Sequence, residues 1–191
     1  MVWNNDQVSR NETDKIIEIA QEQLKVLGDF VELGCYKGDT SLLLADILKD
    51  TEKQLYIYDS FEGLPEKSAE DDSAAGENFR GGELYVTKRE VKERFLRANL
   101  PVPVIKKAWF NELTDEDLPE KIAFAFLDGD FYESIKDSLK LVENKIVEGG
   151  VIIVHDYNNP ALPGVAKAVD EWTNDKKVKI IKYESVVVIW P

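Results

Sequence analysis

Apolar residues fall in two rhythms along the chain. Short dense runs at 30–33, 55–58, 102–105, 122–127 and 151–154 have the length of strands and are punctuated by glycine, proline or acids. Between them, apolar positions recur every three or four residues. Ile16, Ala20, Leu24 and Leu27 share one helical face, which Ser9 and Glu12 open as a capping box and Gly28 closes. Trp3 and the polar residues 4–7 precede that helix. Residues from Thr40 onward have the Leu and Ala content of a second helix. Residues 87–99 set Val91, Phe95 and Leu96 against Lys and Glu, and residues 132–146 carry the stripe Ile135, Leu139, Val142 and Ile146. From about 164 to 172, Val165, Ala168, Val169 and Trp172 face one way. Two β-rich runs, 178–182 and 186–190, follow at the spacing of a hairpin.

Strands alternating with helices predict an α/β fold. It is a doubly wound, Rossmann-like sheet, mostly parallel with one antiparallel strand and helices on both faces. The run 122–127 is almost continuously apolar, as a parallel strand covered on both faces requires. Pro101 and Pro103 suit an edge position for 102–105. A chain of 191 residues, 43% hydrophobic, fits a single domain. Residues 60–86 interrupt the alternation with glycines, acids and little periodicity, which marks a lid or insertion over a binding site. A disordered acidic insertion is the bland reading, against which Phe61, Phe79, Arg80 and Tyr85 argue.

Charge narrows the partners. Lys and Arg number 24 against 37 Asp and Glu, and the net charge of −13 opposes nucleic acid and anionic membranes, leaving a small molecule or sugar as partner. Neither a run of about 18 apolar residues nor a signal-like N-terminus is present, and Cys35 is the only cysteine, so a cytoplasmic protein is expected. A homo-oligomer stays open.

The candidate chemistry sits at strand ends. Residues 30–44, FVELGCYKGDTSLLL, read as strand, turn and helix. Gly34 and Gly38 let backbone approach a ligand, and the helix N-terminus offers unpaired N–H groups. Glu32 would repel a pyrophosphate but can receive the ammonium of an amino-acid moiety, such as the methionine part of S-adenosylmethionine (SAM). The next run ends in Asp59, where a ribose-binding acid sits in such folds. The fourth ends in Asp128-Gly129-Asp130, the fifth in His155-Asp156-Tyr157. A nucleotide-binding oxidoreductase shares the first features but would show a third glycine that is absent here. A non-catalytic SAM-binding protein is the other rival. His155 is the sole histidine, and a lone histidine is as readily structural as catalytic.

The segments VELGCYKGDTS, YDSFEGLP, FRGGE, KAWFNEL, FLDGDFYESI, EGGVIIVHDY and AVDEW, taken in order, resemble the macrocin O-methyltransferase family. The resemblance implies a class I SAM-dependent O-methyltransferase with a seven-stranded sheet. It places Glu32, Gly34, Tyr36, Gly38 and Thr40 at the methionine end of SAM, Asp59, Ser60 and Phe61 at the ribose, and Trp109 and Phe110 at the adenine. It implies that Asp128 borders the cofactor and, with His155, serves the catalysis, His155 being the base if no metal binds. The family also implies a divalent cation, magnesium or manganese, held here by Asp128, His155 and Asp156. Its usual Asp-Asp-Tyr is His-Asp-Tyr in this chain, and an imidazole in place of a carboxylate weakens magnesium or favours a transition metal.

Overall fold

A computed structural model describes residues 7–191, so Trp3 and residues 4–6 lie outside the described residues. The order is α1 (Arg10–Glu22), β1 (Asp29–Leu33), α2 (Asp39–Leu48), β2 (Leu55–Asp59), α3 (Lys88–Ala98), β3 (Val104–Lys107), β4 (Ile122–Leu127), α4 (Tyr132–Val142), β5 (Ile146–Val154), α5 (Pro163–Thr173), β6 (Lys179–Tyr183) and β7 (Val186–Trp190). The strands form one sheet in the order β3-β2-β1-β4-β5-β7-β6. Only β7 runs antiparallel, between β5 and β6. Strand order reverses between β1 and β4, which opens a crevice beyond their C-terminal ends.

Period-two alternation divides the core. Phe30, Phe124 and Ile153 face α1, α2 and α3 through Ile16, Leu44, Val91 and Phe95. Val31, Leu127 and Val154 face α4 and α5 through Ile135, Leu139, Val165 and Val169. All six residues of β4 are buried, and each large apolar side chain so buried contributes about 1.5–3 kcal/mol. The central strands therefore form a stiff platform for whatever their ends carry. Among the described residues, no helix is long and apolar enough to cross a membrane.

Several boundaries differ from the sequence expectation. The capping box of Ser9 and Glu12 forms, but α1 tightens after Glu22 into a 3₁₀ turn, Gln23–Lys25, and Leu27 is exposed rather than on the buried stripe. The tighter turn changes the angle per residue and rotates Leu27 out of line. Leu96 also faces solvent, one position round from buried Phe95. The edge strand lies two residues later than 102–105. α4 ends at Val142, and β-branched Ile146 already pairs with Ile122. Gly149 and Gly150 thus sit inside β5, where the register slips: Ile122 faces Ile146 but Phe124 faces Val151. Gly149 takes φ +79°, as a bulge there requires.

Residues 60–86 fold over the crevice. Leu64 and Gly82–Glu83 close the neck of the loop with two backbone hydrogen bonds of 2.8 Å. Short 3₁₀ turns follow at Ala69–Asp71 and Ala74–Gly76. Asp71, 1% exposed, accepts the backbone N–H of Tyr132 at 2.7 Å and so caps the first turn of α4. Gly164 makes room for it, since a Cβ there would stand 1.9 Å from the Asp71 Oδ1.

Candidate functional site

The glycine turn after β1 fits against the end of β4. Gly34 has φ +88°, and a Cβ on it would lie 2.0 Å from the Asp128 carbonyl oxygen, so only glycine lets these strand ends meet. The Asp128 N–H donates to the Leu33 carbonyl at 2.8 Å, and the His155 N–H to the Leu127 carbonyl at 3.0 Å. Register therefore brings Glu32, Gly34, Asp128 and His155 to one wall. They line a cavity of about 740 Å³, which Asp59, Ser60, Trp109 and Phe110 share. That volume lies within the range of small-molecule sites. The loop 60–86 supplies the roof through Leu64, Pro65, Asp71 and Phe79.

Glu32 is buried on β1 and accepts the Ser41 hydroxyl. Burial pushes its carboxyl up to about 8; the Ser41 bond opposes this, and the charges of Asp128 and Asp59 add to it. Asp59 Oδ2 accepts the backbone N–H groups of Cys35 at 2.9 Å and Tyr36 at 3.2 Å, while its Oδ1 accepts that of Phe61 at 2.7 Å. Tyr36 and Thr40 line the cavity. Gly38 and Phe61 are not among its lining residues. Gly38 caps α2 in the left-handed conformation, and Phe61 is 3% exposed in the core. Trp109 and Phe110 follow β3 in a single 3₁₀ turn, and Gly129 leaves space for the Phe110 ring.

Beyond the ends of β4 and β5, His155 Nδ1 lies 3.1 Å from Asp128 Oδ1 and 3.0 Å from Asp156 Oδ2. Burial opposes charge on the imidazole. The charge of Asp128 and the bonds to Asp128, Asp156 and Glu12 outweigh it and raise the His155 pKa well above its ordinary value. An imidazole nitrogen this close to two carboxylates needs a proton or a cation between them. One donor atom from each of Asp128, His155 and Asp156 lies within 4.8 Å of the others, so the trio fits a divalent cation. One nitrogen with two carboxylate oxygens suits manganese, iron or zinc better than magnesium.

Two residues that sequence reasoning passed over belong here. Asp130 lines the cavity at φ +60°, and burial, with the charges of Asp128 and Asp156, pushes its carboxyl well above the usual range. Its place in Asp128-Gly129-Asp130 was a visible signal. Glu12 stands 3.8 Å from His155 Nε2, and nothing local announced it, because the capping box already accounted for its residue type. Tyr36, Asp130 and Asp156, all lining the cavity, have positive φ without being glycine, a clustering of backbone strain typical of working sites.

Residues 8–190 match the family described as Macrocin-O-methyltransferase (TylF). Over 141 residues the chain is 33% identical to the 8-demethyl-8-(2,3-dimethoxy-alpha-L-rhamnosyl)-tetracenomycin-C 4'-O-methyltransferase of Streptomyces olivaceus, covering 69% of this chain and 54% of that one. It is 31% identical over 157 residues to the demethyldecarbamoylnovobiocin O-methyltransferase of Streptomyces niveus, covering 77% and 58%. The chain thus spans somewhat over half the length of these relatives. Among solved structures, the O-methyltransferase NovP superposes with a TM-score of 0.77 at 27% identity, over 91% of this chain and 78% of that one.

Proposed function

The chain belongs to the macrocin O-methyltransferase family, and we propose that it transfers the methyl group of SAM to a hydroxyl of a sugar moiety or similar small molecule. The observation that carries this reading is the continuity of one cavity from Glu32, Gly34 and Asp59 to Asp128 and His155. Following the sheet order β2-β1-β4, it can hold a ribose, an ammonium and an acceptor hydroxyl side by side. Glu32 receives the methionine ammonium, and Gly34, Tyr36 and Thr40 shape the turn around the amino-acid moiety. Asp59 and Ser60 face the ribose, and Trp109 and Phe110 the adenine. Gly38 and Phe61 act indirectly, by setting the turn that carries the contacts. We read the chain as a single domain whose loop 60–86 closes over the bound pair.

In the reaction the carbon–sulfur bond of the sulfonium breaks as the acceptor oxygen bonds the methyl carbon. S-adenosylhomocysteine leaves neutral at sulfur. The hydroxyl proton passes to Asp128 at the carboxylate oxygen that does not face His155, and His155, itself flanked by Asp156, holds that carboxylate in place. Since SAM is already activated, most of the acceleration comes from alignment and proton removal. Asp128, His155 and Asp156 would hold a divalent cation, whose Lewis acidity lowers the pKa of a bound hydroxyl.

Two measurements test the reading. SAM and S-adenosylhomocysteine should raise the melting temperature while NAD leaves it unchanged. Incubation with SAM and a library of hydroxylated glycosides should yield a mono-methylated product by mass spectrometry. Stabilisation by NAD alone points to an oxidoreductase, and SAM binding with no product from any acceptor points to a non-catalytic SAM-binding protein.

A further inference from the structure

We infer that Glu12 is a positioning residue for the metal ligand His155, so that the first helix is part of the metal centre. The inference rests on the reading of Asp128, His155 and Asp156 as ligands. Its own observation is separate. The His155 side chain is 3% exposed, and its buried Nε2 has no partner within hydrogen-bond distance among the described residues, Glu12 being the carboxylate beside it. The Glu12 Oε2 stands 3.8 Å from it.

That carboxylate is not there by chance of rotamer. Glu12 is 5% exposed, whereas a glutamate that only closes a capping box is free to stay in water. Its Oε2 accepts the Ser9 backbone N–H at 3.0 Å. Its Oε1 accepts the Ser185 backbone N–H at 3.0 Å, together with the Ser185 hydroxyl. Ser185 lies in the turn between β6 and β7. The side chain is thereby fixed from its own helix and from the terminal hairpin, with its remaining direction towards the imidazole.

A histidine that binds metal through one nitrogen commonly donates its other N–H to a carboxylate. The donation fixes the tautomer and makes the ligating nitrogen more basic. Here an Nε2–H directed at Glu12 leaves the Nδ1 lone pair facing Asp128 and Asp156, which is the form a metal needs. A shift of less than an ångström, on the order of the thermal displacement of ordered side chains, turns the 3.8 Å approach into a hydrogen bond. An imidazole in the ligand set calls for such a partner, and a third carboxylate would not.

The test titrates the metal-stripped protein with Mn²⁺, following free Mn²⁺ by electron paramagnetic resonance. Wild type, Glu12→Gln, Glu12→Asp, Ser9→Ala and His155→Ala are compared. Glu12→Gln should bind Mn²⁺ about 10–100-fold more weakly than wild type, the usual cost of losing an outer-shell carboxylate. Ser9→Ala breaks the same capping box without touching His155, so it should lower the melting temperature and leave Mn²⁺ affinity unchanged. If Glu12→Gln does not fold, Glu12→Asp keeps the charge and the helix position while withdrawing the carboxylate, and a loss of several-fold is expected. Wild-type affinity in a folded Glu12 variant overturns the inference while sparing the metal reading. Equal loss in Ser9→Ala assigns the effect to the cap and overturns it too. A wild type that binds Mn²⁺ no better than His155→Ala overturns the metal reading, and this inference with it.

Discussion

Asp59, at the end of β2, accepts the backbone N–H of Cys35 at 2.9 Å and so ties the turn that follows β1. The acid expected at a ribose also holds the loop expected at the methionine. Its oxygens already take three backbone N–H groups, from Cys35, Tyr36 and Phe61, which leaves fewer lone pairs for two ribose hydroxyls than an untethered carboxylate would offer. Asp59→Ala should therefore act twice. Unpaired donors should destabilise the free protein by about 1–3 kcal/mol, and SAM affinity should fall at least tenfold. Chemical denaturation and calorimetry of the same variant separate the two losses; unchanged SAM affinity in a folded variant removes Asp59 from the ligand contacts.

Glu32 gives the ligand-free protein a specific pH dependence. A carboxyl raised from 4.5 to about 8 by burial keeps its proton in the folded state and loses it in the unfolded state across that interval. The folded protein binds the extra proton, so its stability is complete below about pH 4.5 and declines as pH rises towards 8. The slope for one proton is about 1.4 kcal/mol per pH unit. Urea unfolding of wild type between pH 5.5 and 8.5 should show this decline, and Glu32→Gln should lack that component. Parallel pH profiles for the two proteins would contradict the assignment.

The same group should ionise when an ammonium arrives. SAM binding at pH 7 is expected to release close to one proton as Glu32 pairs with the methionine amino group. Calorimetry in two buffers of different ionisation enthalpy measures the release directly. No proton release in wild type, or equal release in Glu32→Gln, places the ammonium elsewhere.

Gly34→Ala tests the meeting of β1 and β4. The added Cβ would stand 2.0 Å from a backbone oxygen of Asp128, an atom with no side-chain freedom to retreat, and φ +88° disfavours any L residue. A loss of at least about 3 kcal/mol is expected, or failure to fold. A stable Gly34→Ala protein with native SAM affinity would show that the strand ends relax more easily than their packing suggests.

The roof of the cavity depends on Asp71, whose carboxylate reaches the Tyr132 N–H at 2.7 Å. Asp71→Ala leaves that N–H without its partner, at a cost of about 1–3 kcal/mol. Hydrogen exchange should quicken through 60–86 while β1 and β4 keep their protection. In wild type, S-adenosylhomocysteine should slow exchange in the same segment. A segment that exchanges at one fast rate with and without ligand does not close over the site.

The sequence by itself determined the architecture and the ends of the strands that matter. An apolar run such as 122–127, six residues long and ending in Asp-Gly, has the length and flanks of a strand buried on both faces, and a glycine at the head of a helix announces its turn within a few residues. Glu32, Gly34, Asp59, Asp128, His155 and Asp156 were all legible, because strand ends are marked locally and the family's motifs are contiguous. Tertiary structure decided what lies between those ends. The helix expected to reach Ile146 gave way at Val142 because Ile146 found a partner in Ile122, and pairing across strands overrides a helical stripe. Leu27 left its face when one turn tightened. Glu12 offered no local sign beyond its cap, and its place beside His155 depends on where the packing of α1 and the β6–β7 turn carries a single carboxylate. Local patterns are written into neighbouring residues, whereas a contact between distant segments exists only once the sheet has fixed the register that joins them.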